Sequence, residues 1–257
     1  MNESKVHSLS KAIDLLDILS AQDGGLRLGV IAERSGYPKS TVHALLSTMR
    51  DRGLVTQQDD GSYTLGIRLF EYGAAVSRGF DIGRLSRPYL ERLASLTGAN
   101  AVISMLDGEG IVSFDYAASS SGIQILPEIG VRLPLHATSQ GKLMLSTLPS
   151  NKAGRLIDRR GLTPFTPHPV ADKDSLFRQL ARIREEGYAV EDGEYKIGLR
   201  SVSAPVAVGS GEVRYTLTTI GFFRRVSGED FLSAVRHTVE QAQRLSAALG
   251  YREPAKT

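Results

Sequence analysis

Residues 38–55, PKSTVHALLSTMRDRGLV, constrain this chain more tightly than any other stretch. Val42, Leu45, Leu46 and Met49 fall at i, i+3, i+4 and i+7, which makes one apolar stripe at helical period. Lys39, Ser40, His43, Ala44, Ser47 and Arg50 are left on the other side. A helix of this kind buries one side in its own domain and presents small and polar groups outward. That is the shape of a helix that enters a DNA major groove.

The flanking residues complete a unit. Leu28, Ile31, Ala32 and Ser35 give a short amphipathic helix, Gly36 permits a tight turn, and Pro38 suits the first position of the next helix, where its missing N–H costs nothing. Residues 10–21 predict a further helix with Ile13, Leu16 and Leu19 facing inward. Beyond Gly53 the period changes to two, and residues 54–57 and 63–65 flank the turn cluster Asp59, Asp60 and Gly61. Three helices followed by a hairpin predict a winged helix-turn-helix, and with it a double-stranded DNA partner.

Composition narrows the alternatives. A chain of 257 residues can form two modest domains, and the absence of cysteine excludes disulfides and thiolate metal sites. The five histidines show no ligand spacing, so neither a metal nor a cofactor is expected. No apolar run reaches the roughly 20 residues of a membrane span and no signal-peptide core is present, which makes the cytoplasm the expected location. The net charge of +3 says little about a nucleic-acid partner, because residues 1–65 hold seven basic and eight acidic side chains. Phosphate affinity must then come from the placement of Lys39, Arg50 and Arg52, and from doubling the contacts in a dimer.

Residues 66–78 and 82–99 predict two connecting helices, the second with Leu85, Tyr89, Leu93 and Leu96 as its stripe. Strands follow at 101–106 and 111–117 across a turn at Asp107, Gly108, Glu109 and Gly110. A helix at 174–186, a strand at 188–191 and a strand pair at 199–208 and 213–220 come later. The last helix carries Leu232, Val235, Val239, Ala242, Leu245 and Leu249. The fold class is α+β, an antiparallel sheet with flanking helices, of the kind used in small-molecule sensors.

Within that second half, residues 136–145 have the chemistry of an anion seat. Thr138 or Ser139 can cap the helix that starts there, and its first amides lack a backbone partner. Gly141 in the first turn fits either a close approach of something to the backbone or simple helix packing. Ser139 and Lys142 also match the Ser-x-x-Lys spacing of serine hydrolases, although the remaining motifs of that chemistry are missing. A protein-contact adaptor that keeps the winged helix without reading DNA is a third class.

The segments KSTVHALLSTM, LPLHATSQGKLML and GYAVEDGEYKIGLRSVSAPV together give the chain a resemblance to IclR-type bacterial transcriptional regulators over about residues 8–250. The resemblance implies a winged helix-turn-helix at 1–66, a helical linker at 67–99 and a GAF-like effector domain at 100–257. It implies operator DNA bound by a homodimer or a dimer of dimers, and a small-molecule effector, a carboxylate or aromatic acid. The backbone amides of Ser139 and Gln140 would hold the carboxylate. Glu191, with Asp192 beside it, falls on the acidic contact position, and Ser201 on one usually filled by cysteine. Thr218 and Ile220 fall where two serines are common, and Ile125, Leu133 and Leu199 match apolar walls. Isoleucine in place of serine removes a donor and adds apolar volume, which favours a larger, partly apolar or aromatic acid over glyoxylate. Ala44 stands where arginine is frequent and offers a thymine methyl contact only. Base reading therefore falls to Ser40, Thr41, His43 and Ser47, with Lys39 and Arg50 on phosphates.

Overall fold

The structure, a computed structural model, describes residues 6–22, 24–79, 81–108, 110–119, 127, 129–167, 170 and 172–252. The chain forms two compact units, Met1–Asp81 and Ile82–Thr257.

In the first unit, α1 (His7–Ser20), α2 (Leu28–Ser35) and α3 (Lys39–Asp51) enclose a core containing Leu15, Leu19, Ile31, Val42, Leu46 and Met49. A small antiparallel sheet of β1 (Leu26–Arg27), β2 (Val55–Gln57) and β3 (Ser62–Leu65) closes it, in the order β1-β3-β2. Gly36 ends α2 at φ 69°, a left-handed conformation that turns the chain toward α3 without the Cβ penalty any other residue would incur. Pro38 is the N-cap of α3 and not its first helical residue. At the wing tip the Ser62 hydroxyl and amide donate to Asp60 Oδ1 at 2.6 and 2.9 Å, which holds that carboxyl below its ordinary range.

Two details depart from the sequence expectation. Ile13 is 49% exposed, and Leu15 with Leu19 fills the inner position on α1. The helix carries Ile13, Leu15, Leu16, Ile18 and Leu19 around more than one face, so periodicity alone does not choose the buried one. The two-residue β1 gave no sequence signal. The next helix, α4 (Ile67–Gly79), leaves Ile67, Phe70 and Tyr72 exposed.

The second unit is built on a six-stranded sheet whose neighbours are all antiparallel. Its strands are β4 (Asn100–Asp107), β5 (Gly110–Ala117), β6 (Arg132–Leu133), β7 (Ala189–Asp192), β8 (Arg200–Ala207) and β9 (Val213–Gly221). They run in the order β6-β5-β4-β9-β8-β7. Helices α5 (Asp81–Thr97) and α9 (Glu229–Ala248) cover one face, where Leu90, Leu93, Ala242 and Leu245 meet Ile103, Ala204 and Leu217. Helices α6 (Ser139–Thr147), α7 (Ser150–Arg160) and α8 (Lys173–Glu186) share a second core with Ile111 and Ala189. Strand alternation puts Ser201, Ser203 and Thr218 on the α6 side, so part of this interior is lined with hydroxyls.

The buried stripe of α5 is Ile82, Ser86, Leu90, Leu93 and Ala94, while Leu85 turns outward. Small residues at 86 and 94 allow the close approach that the bulkier row would prevent. On α9 Leu232 is exposed and Thr238 and Ser246 are buried, because Thr238 pairs with the Thr219 hydroxyl at 2.7 Å and Ser246 accepts the Ala207 amide at 3.0 Å. Helix α7, rich in charge, and β6, two residues long, were not anticipated.

Candidate functional site

On α3 the outward face comprises Lys39, Ser40, His43, Ala44 and Arg50, all exposed, with Thr41 and Ser47 half-buried at its edges. All seven residues expected to meet DNA therefore reach solvent. Pro38 caps α3 without a side-chain hydrogen bond, which leaves the first amides of the helix open to an anion. Arg50 donates from Nη1 to Gln57 Oε1 at 3.0 Å, which ties the far end of the helix to the wing strand β2.

The second site lies where α6 begins. Thr138 is the N-cap: its hydroxyl oxygen accepts the Gly141 amide at 3.1 Å while donating to the Pro134 carbonyl at 2.7 Å. Among the described residues the Ser139 and Gln140 amides have no acceptor. Beside them is a cavity of about 50 Å³ whose walls include Thr138, Gln140, Glu191, Ser201, Leu133, Leu199 and Ile220.

The remaining expected residues divide clearly. Ser139 points its hydroxyl at Ser201 Oγ (2.8 Å) and Ser203 Oγ (2.7 Å), away from a role as ligand donor. Thr218 lies one step deeper, hydrogen-bonded to Ser203 at 2.8 Å, and does not line the cavity. Asp192 alternates to the opposite face from Glu191 and pairs with Arg200 Nε at 2.6 Å, so it is not part of the site. Ile125 falls outside the described residues. Tyr195, Lys196, Val102, Ser113 and Pro127 also line the cavity, and none was singled out in the sequence. For Ser203 a signal existed, since period two from Ser201 places it on the same face.

Glu191 is the electrostatic centre of the site. It is buried, its Oε1 accepts the Glu194 amide at 2.6 Å and the Tyr195 amide at 3.2 Å, and its Oε2 accepts the Ser201 hydroxyl at 3.1 Å. Burial nevertheless dominates these three donors and pushes its carboxyl up to about 7. Lys142 is a buried cation. It is 1% exposed and donates from Nζ to Glu194 Oε1 at 2.7 Å and Gln179 Oε1 at 3.2 Å.

Gly141 has a structural cause. A Cβ at this position would stand 2.3 Å from the Leu135 carbonyl oxygen and 2.5 Å from its Cα, so the close approach is made by the chain's own backbone. Gly141→Ala is expected to lower the stability of the second unit by about 1–3 kcal/mol, because neither backbone can yield cheaply. Urea denaturation followed by circular dichroism measures this, and an unchanged midpoint would remove the packing account.

The arrangement, a helix face turned to solvent in one unit and a helix start beside a cavity in the other, has a counterpart among known proteins. The IclR helix-turn-helix domain matches residues 8–59, and the family described as bacterial transcriptional regulator IclR C-terminal matches residues 74–247. This chain belongs to the IclR family. It is 32% identical to the HTH-type transcriptional regulator XynR of Escherichia coli strain K12, over 96% of this chain and 98% of that protein. Its fold is similar to that of an IclR transcriptional regulator from Alicyclobacillus acidocaldarius, with a TM-score of 0.82 at 28% identity over 95% of this chain and 99% of that one. An IclR homologue from Microbacterium hydrocarbonoxydans, described as complexed with 4-hydroxybenzoate, shares the fold at 21% identity and a TM-score of 0.80, over 94% of this chain and 99% of that one.

IclR-family relatives are transcriptional regulators and not enzymes. The hydrolase alternative also fails on geometry, since the Lys142 ammonium is committed to Glu194 and Gln179 while Ser139 bonds to Ser201 and Ser203. Among the described residues no helix is long and apolar enough to cross a membrane.

Proposed function

We propose that this IclR-family regulator binds the operator of a catabolic operon in the cytoplasm and changes its affinity when a small organic acid occupies the cavity at the start of α6. The observation that carries the reading is the pairing of two free amides at the start of α6, those of Ser139 and Gln140, with an adjacent cavity lined by Gln140, Glu191 and Ser201. The amides and the helix dipole favour a carboxylate, and Gln140, Glu191 and Ser201 supply hydrogen bonds to a second polar group. Leu133, Leu199 and Ile220 exclude water from the remainder.

On the DNA side, Ser40, Thr41, His43 and Ser47 read bases, Ala44 meets a thymine methyl, and Lys39 and Arg50 hold phosphates. Residues 1–66 are the DNA reader and 100–257 the effector domain, with 67–99 linking them. The exposed Ile67 and Phe70 of α4, and Val6, Leu9 and Ile13 at the N-terminal helix, fit contacts with a second copy in a homodimer or a dimer of dimers. A dimer presents two α3 helices to successive half-sites, which compensates for the excess of acidic side chains in residues 1–65. The same exposed apolar residues are what an adaptor would use, and the decisive measurement separates the two. Full-length protein titrated onto its upstream intergenic DNA is expected to bind sequence-specifically and to weaken steeply with salt, and Ser47→Glu is expected to reduce affinity at least about tenfold through phosphate repulsion. Binding that ignores sequence, salt and the Ser47 charge would favour the adaptor. The effector half is tested by repeating the titration with candidate acids, because an acid acts only through its differential affinity for the two arrangements.

A further inference from the structure

We propose that Gln57 is a positioning residue for DNA binding, an uncharged acceptor on β2 that holds the Arg50 guanidinium in place to meet a phosphate. The inference rests on the phosphate role given to Arg50 above and adds the residue that fixes its direction. The chain turns at Gly53, φ 70°, and the Leu54 amide returns to the Met49 carbonyl at 2.9 Å, so β2 starts directly beside the last turn of α3. Val55 joins the core that Leu46 and Met49 of α3 enter. Strand alternation puts the exposed Gln57 on the same side as Val55, just past the edge of that core. There Arg50 Nη1 donates to Gln57 Oε1 at 3.0 Å. Arginine is a donor only, so the Gln57 amide must present its oxygen.

The chemistry of the acceptor decides what the pair can do. Arg50 also has an acid within reach, since Asp51 Oδ1 lies 3.9 Å from its Nε, beyond hydrogen-bond length. A guanidinium drawn fully onto that carboxylate would present little net charge to DNA, whereas one bound to an amide oxygen keeps its whole charge. Gln57 takes one N–H of the guanidinium, and the others suit phosphate oxygens. The rest of the wing does not supply such a charge. Asp59 and Asp60 stand exposed at its tip, and Gln58 gives its side-chain amide to Thr64 Oγ1 across the hairpin at 3.0 Å. An acidic tip repels the phosphates that a basic wing would grip, so β2 contributes to DNA binding through Gln57 and Arg50.

The test titrates full-length protein onto its upstream intergenic DNA and onto a scrambled duplex of equal length, at several salt concentrations. Arg50→Ala is expected to weaken binding to both duplexes about tenfold and to reduce the salt slope by about one per bound protomer. Gln57→Leu, at an exposed position, should lose about threefold or more on both duplexes and nothing further in the Arg50→Ala background. Gln57→Glu keeps an acceptor but cancels the charge, so it should weaken binding at least as far as Arg50→Ala and flatten the salt dependence as much. Gln58→Ala should stay within about twofold of the wild type. Wild-type affinity in Gln57→Leu beside weak binding in Arg50→Ala would overturn the positioning role and leave Arg50 on its phosphate. A Gln57→Leu loss that persists without Arg50 would mean that Gln57 touches DNA itself, and would overturn the inference. A loss confined to the intergenic duplex, or matched by Gln58→Ala, would do the same. Wild-type affinity in Arg50→Ala overturns the phosphate role and the inference together.

Discussion

Lys142→Met is expected to cost the second unit about 3–5 kcal/mol, the largest single-residue effect we foresee in this molecule. The ammonium is almost fully buried, and its partner Glu194 has a side chain only 14% exposed. Among the described residues, Glu194 Oε2 has no hydrogen-bond partner, so removing the ammonium takes the Lys142 contact from that carboxylate and from the Gln179 side-chain oxygen alike. Methionine fills a similar volume, so the loss reports an uncompensated charge more than a cavity. The companion experiment is the double variant Lys142→Met with Glu194→Gln. Removing both charges should recover most of the loss, because a buried ion pair gains little over a neutral packed pair while half of one is costly. Equilibrium urea denaturation of the wild type, both single variants and the double variant measures the coupling. Additive losses in the double variant would show that the pair does not act as described.

The second large effect is pH dependence at Glu191. Its carboxyl is raised from 4.5 to about 7, chiefly by burial. In the window between those values the folded chain keeps a proton that the unfolded chain has released, so the folded state binds more protons and stability falls as pH rises. The contribution is fully retained below about 4.5 and fully lost above about 7, and its size is about 3 kcal/mol. Glu191→Gln removes the titration. The variant should match the wild type near pH 4.5 and exceed it by about 3 kcal/mol at pH 8, as measured by denaturation across that range. The groups around Glu191 do not reverse the sign: the Glu194 charge adds repulsion, and the Tyr195 and Glu194 amides and the Ser201 hydroxyl, which favour the ionised form, are outweighed by burial. An organic anion on the Ser139 and Gln140 amides should follow the same trend, binding more weakly once Glu191 ionises beside it. Curves for variant and wild type that run parallel over the whole range would end this account.

How much of this was legible beforehand depends on how many readings each segment allows. The α3 segment has a single apolar stripe, so its buried and exposed residues were readable, and so were the wing and the main strands of the sheet. In α1, apolar residues on several faces left the choice to tertiary packing, and Ile13 turned out exposed while Leu15 is enclosed. Gly141 signalled a close approach, but only the fold could show that Leu135 makes it. The Lys142 pairing was not readable because Glu194 is far away in sequence, and an ion pair across that separation leaves no local pattern. Asp192 could have been excluded in advance, since neighbours on a strand face opposite sides and only one of the two acids can enter the cavity. Whole-chain resemblance pointed to the start of α6, while the hydroxyl row behind it follows from packing that no motif records.

The row of side chains running from Glu191 through Ser201, Ser139 and Ser203 to Thr218 has a consequence for signalling. Each hydroxyl has one hydrogen to give, and the Ser201 hydrogen goes to Glu191 when that carboxylate is charged. Ser139 must then give its hydrogen to Ser201, Ser203 to Ser139 and Thr218 to Ser203, so that the whole row points one way. Once Glu191 carries a proton of its own it can give instead of receive, and all four hydroxyls are free to rotate in the reverse sense. What happens at one end of the row can thus be registered on β9 by the turning of hydrogen atoms alone, with every heavy atom still in place.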